Sequence, residues 1–77
     1  MLTLEEKELV TYLAKGLPDR EIAKQLPLNR HGRQPGADTA NRKVRDMLHK
    51  IGARTRLEAV VIALVNEWVH LPEYKYT

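Results

Sequence analysis

Apolar positions along this chain fall into four separate helical patterns. In "TLEEKELVTYLAKG", Leu9, Val10, Leu13, Ala14 and Leu17 recur at i, i+1, i+4, i+5 and i+8, one face of a helix. Thr3 followed by Glu6 makes a capping box at its start, and Gly16 supplies a stop. A short second helix is expected after Pro18, with Asp19 as N-cap and Ile22, Ala23 and Leu26 as its inner face; Pro27 ends it. The third helix is expected over "DTANRKVRDMLHKIG", capped by Asp38 or the residue before it and stopped by Gly52. Its stripe is Ala40, Val44, Met47, Leu48 and Ile51, with Asn41, Arg42, Arg45 and His49 on the far side and Lys43, Asp46 and Lys50 on the flanks.

The fourth pattern is of another kind. Thr55 and Glu58 form a second capping box, and the helix continues as "AVVIALVNEW". From Ala59 to Val65 it is apolar without a break. A surface helix needs an apolar stripe only about 100° wide. A helix apolar all round must cover its outer side as well, and in so small a domain a second chain is the simplest cover. Val61, Leu64, Val65 and Trp68 are therefore the expected homodimer contacts.

Between the second and third helices lies "PLNRHGRQPGAD", Pro27 to Asp38. It is polar, broken by proline and glycine, and reads as an irregular loop. Connections between packed helices usually take about 2–8 residues. Two accounts compete: a tolerated insertion, which costs little beyond closure entropy, or a loop that uses Arg30 and Arg33 on a polyanion.

Charge sharpens the picture. The 77-residue chain has a net charge of +3. Residues 27–56 hold eight basic side chains against two acidic ones, while both ends are mildly acidic. A localised basic patch is the electrostatic footprint of a nucleic-acid binder; on charge alone, a solvated helix face is the other reading. Asn41, Arg42 and Arg45 can reach base edges, because arginine offers a fork to guanine and asparagine one to adenine. Thr39 at the helix start suits a phosphate, and Lys43, His49, Lys50, Arg30 and Arg33 are expected to contact the DNA backbone.

Other chemistries find no support. There is no cysteine, and His31, His49 and His70 lack metal-ligand spacing, so no metal is expected. No carboxylate pair or nucleophile–base set suggests catalysis, so neither an enzyme nor a cofactor is expected. No run approaches a membrane span.

With four helices, the second short and the third basic on its outer face, the layout is that of a helix-turn-helix protein. Here "LTLEEKELVTYLAKGLPDREIAKQL" resembles the opening of the LuxR-type (GerE-type, NarL/FixJ-type) DNA-binding domain. "TANRKVRDMLHKIGARTRLEAV" resembles its second half, with Thr39, Val44, Lys50, Gly52, Arg56, Glu58, Ala59 and Val60 at the family's positions. The resemblance spans residues 2–66. It implies an all-α, four-helix domain of the winged-helix-like superfamily over residues 1–69, with a tail over 70–77. The third helix, Asp38 to Ile51, would read the major groove of double-stranded DNA through Asn41, Arg42 and Arg45. It further implies a bacterial or phage-encoded, cytoplasmic, nucleoid-associated transcription regulator that pairs through its fourth helix. The expectation is a chain without a receiver or ligand-binding module, either a stand-alone regulator or a fragment of a longer one.

The departures are specific. Glu5 stands where the family has arginine, Ala40 and Asn41 replace valine and lysine, and Lys43 replaces histidine. Twelve residues separate Leu26 from Thr39, more than the family's usual turn. The longer loop and Glu5 also fit a second reading, a helix-turn-helix domain that binds another regulator or an RNA polymerase subunit.

Overall fold

A computed structural model describes residues 2–69; the expected tail over 70–77 lies outside the described residues. Four helices follow one another: α1 (Leu4–Ala14), α2 (Asp19–Gln25), α3 (Ala37–Ile51) and α4 (Arg56–Val65). No strand occurs among the described residues, and no described helix is long and apolar enough to cross a membrane. The fold is all-α.

Each helix starts and stops for a local reason. At α1 the Thr3 hydroxyl accepts from the Glu6 N–H at 3.2 Å, while the Thr3 N–H donates to the Glu6 carboxylate at 2.8 Å. Two donors that the helix cannot satisfy are thereby satisfied. At α4 the Thr55 hydroxyl accepts from Glu58 N–H at 3.0 Å, but the reciprocal carboxylate bond expected there is missing. Three helix ends close in one way. A left-handed residue (Gly16, Gly52 or Glu67) lets the next N–H reach back five residues, Leu17 to Tyr12, Ala53 to Leu48 and Trp68 to Ala63. Glu67 does this at φ 58° despite its side chain, which normally disfavours that region. Its turn ends α4 at Val65, short of the expected Trp68, and folds Trp68 back against the core.

Two expected caps move. Pro18, not Asp19, precedes α2, and Asp19 becomes its first helical residue, its carboxylate drawn elsewhere. Gly36 precedes α3, one residue before the earliest position expected, and no side chain caps that start.

α2 packs on α3 and α1 on α4, and further contacts join α3 to α4. Leu9 and Val10 of α1, Ile22 and Ala23 of α2 with Leu26 after it, and Ala40, Val44 and Met47 of α3 form the centre. Leu13, Leu17, Leu48, Ile51 and Leu64 are half-buried around it. All three expected apolar faces of α1 to α3 thus point inward. From α4 only Ala59 and Ala63 are fully buried, while Leu57, Val61 and Val65 are 74, 50 and 76% exposed. These three recur every fourth residue and form one outward stripe.

Candidate nucleic-acid interface

Packing of α3 divides its polar residues into three groups. Inner positions Ala40, Val44 and Met47 fix the helix's rotation, so every other side chain has a set direction. Lys43 and Lys50, two turns apart, lie on the flank that meets the start of α1. Lys43 Nζ is 2.8 Å from Glu5 Oε1, and Lys50 Nζ is 2.7 Å from Glu6 Oε1. The opposite flank carries Asn41, whose amide donates to Asp19 Oδ2 at 3.0 Å; the Arg56 guanidinium holds the other oxygen of that carboxylate. Asp19 therefore ties together the beginnings of α2, α3 and α4.

The remaining face of α3, opposite the core, presents Arg42, Arg45 and His49, all exposed, along with Asp38 and Asp46. Neither arginine forms an ion pair among the described residues. At its C-terminal end this face borders a shallow cleft of ≈ 530 Å³ lined by Arg45, Leu48, His49, Gly52, Ala53 and Arg54. Arg54, exposed in the turn before α4, extends the cationic surface.

The geometry gives several of the expected contact residues partners within the chain. Asn41 is half-buried and committed to Asp19, so it does not share the outward face of Arg42 and Arg45. Lys43 and Lys50 each pair with an α1 carboxylate within the chain, in ion pairs that are partly exposed. Thr39 is half-buried near the start of α3, and its hydroxyl makes no cap bond there. On α4, Val61 and Val65 face outward as expected, whereas Leu64 and Trp68 lean on the core. Leu57, not anticipated, completes the stripe; its spacing to Val61 and Val65 was the available signal.

Glu6 sits at the junction of two of these arrangements. Its carboxylate accepts from Lys50 and from the Thr3 N–H, and these bonds, Lys50 foremost, hold its pKa below the ordinary value of 4.5.

The connecting loop holds no helix or strand, as expected, but contains a hydrogen-bonded turn. Asn29 N–H donates to Arg33 O and Gly32 N–H to Asn29 O, both at 2.8 Å. The Asn29 side-chain oxygen accepts from His31 and Arg33 N–H at 2.9 and 3.0 Å. Gly32 takes the left-handed conformation, φ 73°, that closes such a three-residue turn. Gln34 then donates its amide to the carbonyls of Ala23 and Leu26 at the end of α2. Arg30, His31 and Arg33 are exposed on this small hairpin.

No protein-family model matches the chain, and no match is found among curated proteins or solved structures. Among the described residues no group of histidine, cysteine and carboxylate side chains could hold a metal ion.

Proposed function

We propose that this protein is a sequence-specific DNA-binding transcription regulator of the LuxR-type helix-turn-helix kind. In this reading α2 braces, α3 enters the major groove, and two copies pair through α4. In the same reading the protein is bacterial or phage-encoded and works in the cytoplasm, associated with the nucleoid. The observation that carries the reading is the division of cations around α3. Carboxylates of α1 neutralise Lys43 and Lys50, and Asp19 engages Arg56, whereas among the described residues Arg42 and Arg45 form no ion pair and stand on a face of α3 that α1, α2 and α4 leave open. Arginine is the side chain suited to guanine's O6 and N7, and an exposed helix face is what fits a groove about 12 Å wide.

The competing reading, a protein partner, draws on Asp38 and Asp46, which share the outward face with the arginines. One titration separates the two. Fluorescence anisotropy would be followed on a duplex selected from a random library and on a scrambled duplex, at two salt concentrations. Arg45→Ala should lose about 1–3 kcal/mol on the selected duplex and much less on the scrambled one. Lys43→Ala, which breaks an exposed ion pair worth about 0–1 kcal/mol of stability, should leave both affinities near wild type. Absence of duplex binding, or binding with almost no salt dependence, would refute the DNA reading and leave the protein partner.

A further inference from the structure

We infer that the hairpin Asn29–Arg33 is a preformed finger that grips the phosphodiester backbone beside the groove entered by α3. This rests on the DNA-binding reading above and deepens it: the lengthened loop becomes a second, sequence-independent contact.

Three features of the loop support this role. The first is rigidity. Four hydrogen bonds close the turn internally, two of them to the Asn29 side chain, and Gln34 anchors the strand leaving it to the end of α2. The α2 face, Ile22, Ala23 and Leu26, shares the core with Ala40 and Val44 of α3. The hairpin's position relative to α3 is therefore set by core packing, and little ordering remains to be done on binding.

The second feature is charge. Arg30 and Arg33 project from the turn, and neither pairs with a carboxylate among the described residues. The chain matches other cations of this region, Lys43, Lys50 and Arg56, with its own acids. The turn's one amide side chain that could read a base, Asn29, already spends its oxygen on two backbone N–H groups. What the hairpin offers outward is guanidinium, whose fork pairs with phosphate oxygens; its place beside the groove rather than in it is what directs it to the backbone.

The third feature is reach. Arg33 is three residues before Gly36, where α3 begins, so at most about 10 Å of chain separates them. With α3 seated in a groove about 12 Å wide, a point that close to its start lies beside the strand that borders the groove. Charges within about 8–10 Å of phosphate also feel it through physiological salt.

The test uses the whole chain and the same two duplexes, with two variants. Arg30→Ala with Arg33→Ala removes the charges; Asn29→Ala keeps them and unlocks the turn. Each lost phosphate contact should flatten the slope of log K against log salt by about 0.9. For two contacts, wild type should lose about tenfold more affinity than the double variant between about 50 and 200 mM salt. The double variant should weaken on both duplexes by the same factor, with unchanged thermal melting. Asn29→Ala should weaken on both by a smaller factor. If wild type binds with a steep salt slope and the double variant matches it in affinity and slope, the hairpin is a spacer and the inference fails alone. A loss confined to the selected duplex would also overturn it, since the finger would then be reading bases. If wild type binds neither duplex, the DNA-binding reading falls and takes the finger with it.

Discussion

Asp19 is the residue whose removal most directly tests the architecture beneath α3. Its carboxylate accepts from the Asn41 amide at 3.0 Å and from the Arg56 guanidinium, and it lies in the first turn of α2. Asp19→Ala removes all three interactions. The Asn41 bond is partly buried and worth about 1 kcal/mol. The Arg56 pair has side chains 26 and 37% exposed, so solvent screening limits it to about 0.5–1 kcal/mol. A carboxylate in the first turn adds about 0.3–1 kcal/mol through the helix dipole. Together the loss is about 2–3 kcal/mol, which in a domain of this size lowers Tm by about 8–24 °C. Asp19→Asn keeps one carbonyl acceptor and loses the charge, so it should fall between wild type and Asp19→Ala.

Urea denaturation followed by far-UV circular dichroism reads these differences, and a double-mutant cycle with Arg56→Ala isolates the pair. Asn41→Ala belongs in the same series. It should cost about 1 kcal/mol of stability and leave the preference for the selected duplex intact, because its amide serves Asp19 and not a base. If Asp19→Ala stays within about 0.5 kcal/mol of wild type, or if Asn41→Ala changes base preference without a change in stability, the assignment of this junction is wrong.

Two further outcomes follow from other parts of the structure. The Glu6 carboxylate, with its pKa held below 4.5 by Lys50 and the Thr3 N–H, stabilises the fold fully above that value and ceases to as pH falls through the lowered folded value. The stability gap between wild type and Glu6→Gln, from urea melts between about pH 7 and pH 3, should therefore shrink on the acid side; a gap independent of pH would refute it. On α4, Val61→Glu places a charge on the outward stripe and not in the core, so it should yield a folded monomer by sedimentation where wild type is a dimer. A wild type that stays monomeric at high concentration and on DNA with two half-sites would end the pairing proposal.

The helices were legible because their signals are local. Periodicity placed the inner faces of α1, α2 and α3, and glycine marked the ends of α1 and α3 at Gly16 and Gly52. Pairing was not legible, because no pattern of charge along a chain tells which charges meet. Lys43 and Lys50 read as basic flank residues, yet their carboxylates lie 38 and 44 residues away on α1. Asp19 read as a cap by propensity alone, and it was displaced from that role by donors 22 and 37 residues distant. The loop was legible in part. Its prolines and glycines signal that no helix or strand runs through it, and none does; the turn inside it, closed by backbone and asparagine bonds, needs no apolar periodicity. Asn29 and Gly32, spaced three apart, were the visible sign of that turn.

The fourth helix joins both lessons. Unbroken apolarity shows that two sides need cover, but not which residues take which side. In the fold its alanines, Ala59 and Ala63, go inward, where small side chains let neighbouring backbones approach closely. Its larger Leu57, Val61 and Val65 go outward. Val60 and Leu64 lean on the core as well, half-buried, so the larger apolar groups of α4 divide between its two sides. The largest fully buried side chains, Leu9, Val10, Ile22, Val44 and Met47, come from the other three helices. The outer stripe then retains most of its apolar surface for a second contact. Regular four-residue spacing makes that surface one continuous ridge, a shape that a copy of itself can match around a two-fold axis. Ridge and arginine face belong to different helices, so the proposed pairing and the proposed groove contact draw on separate side chains.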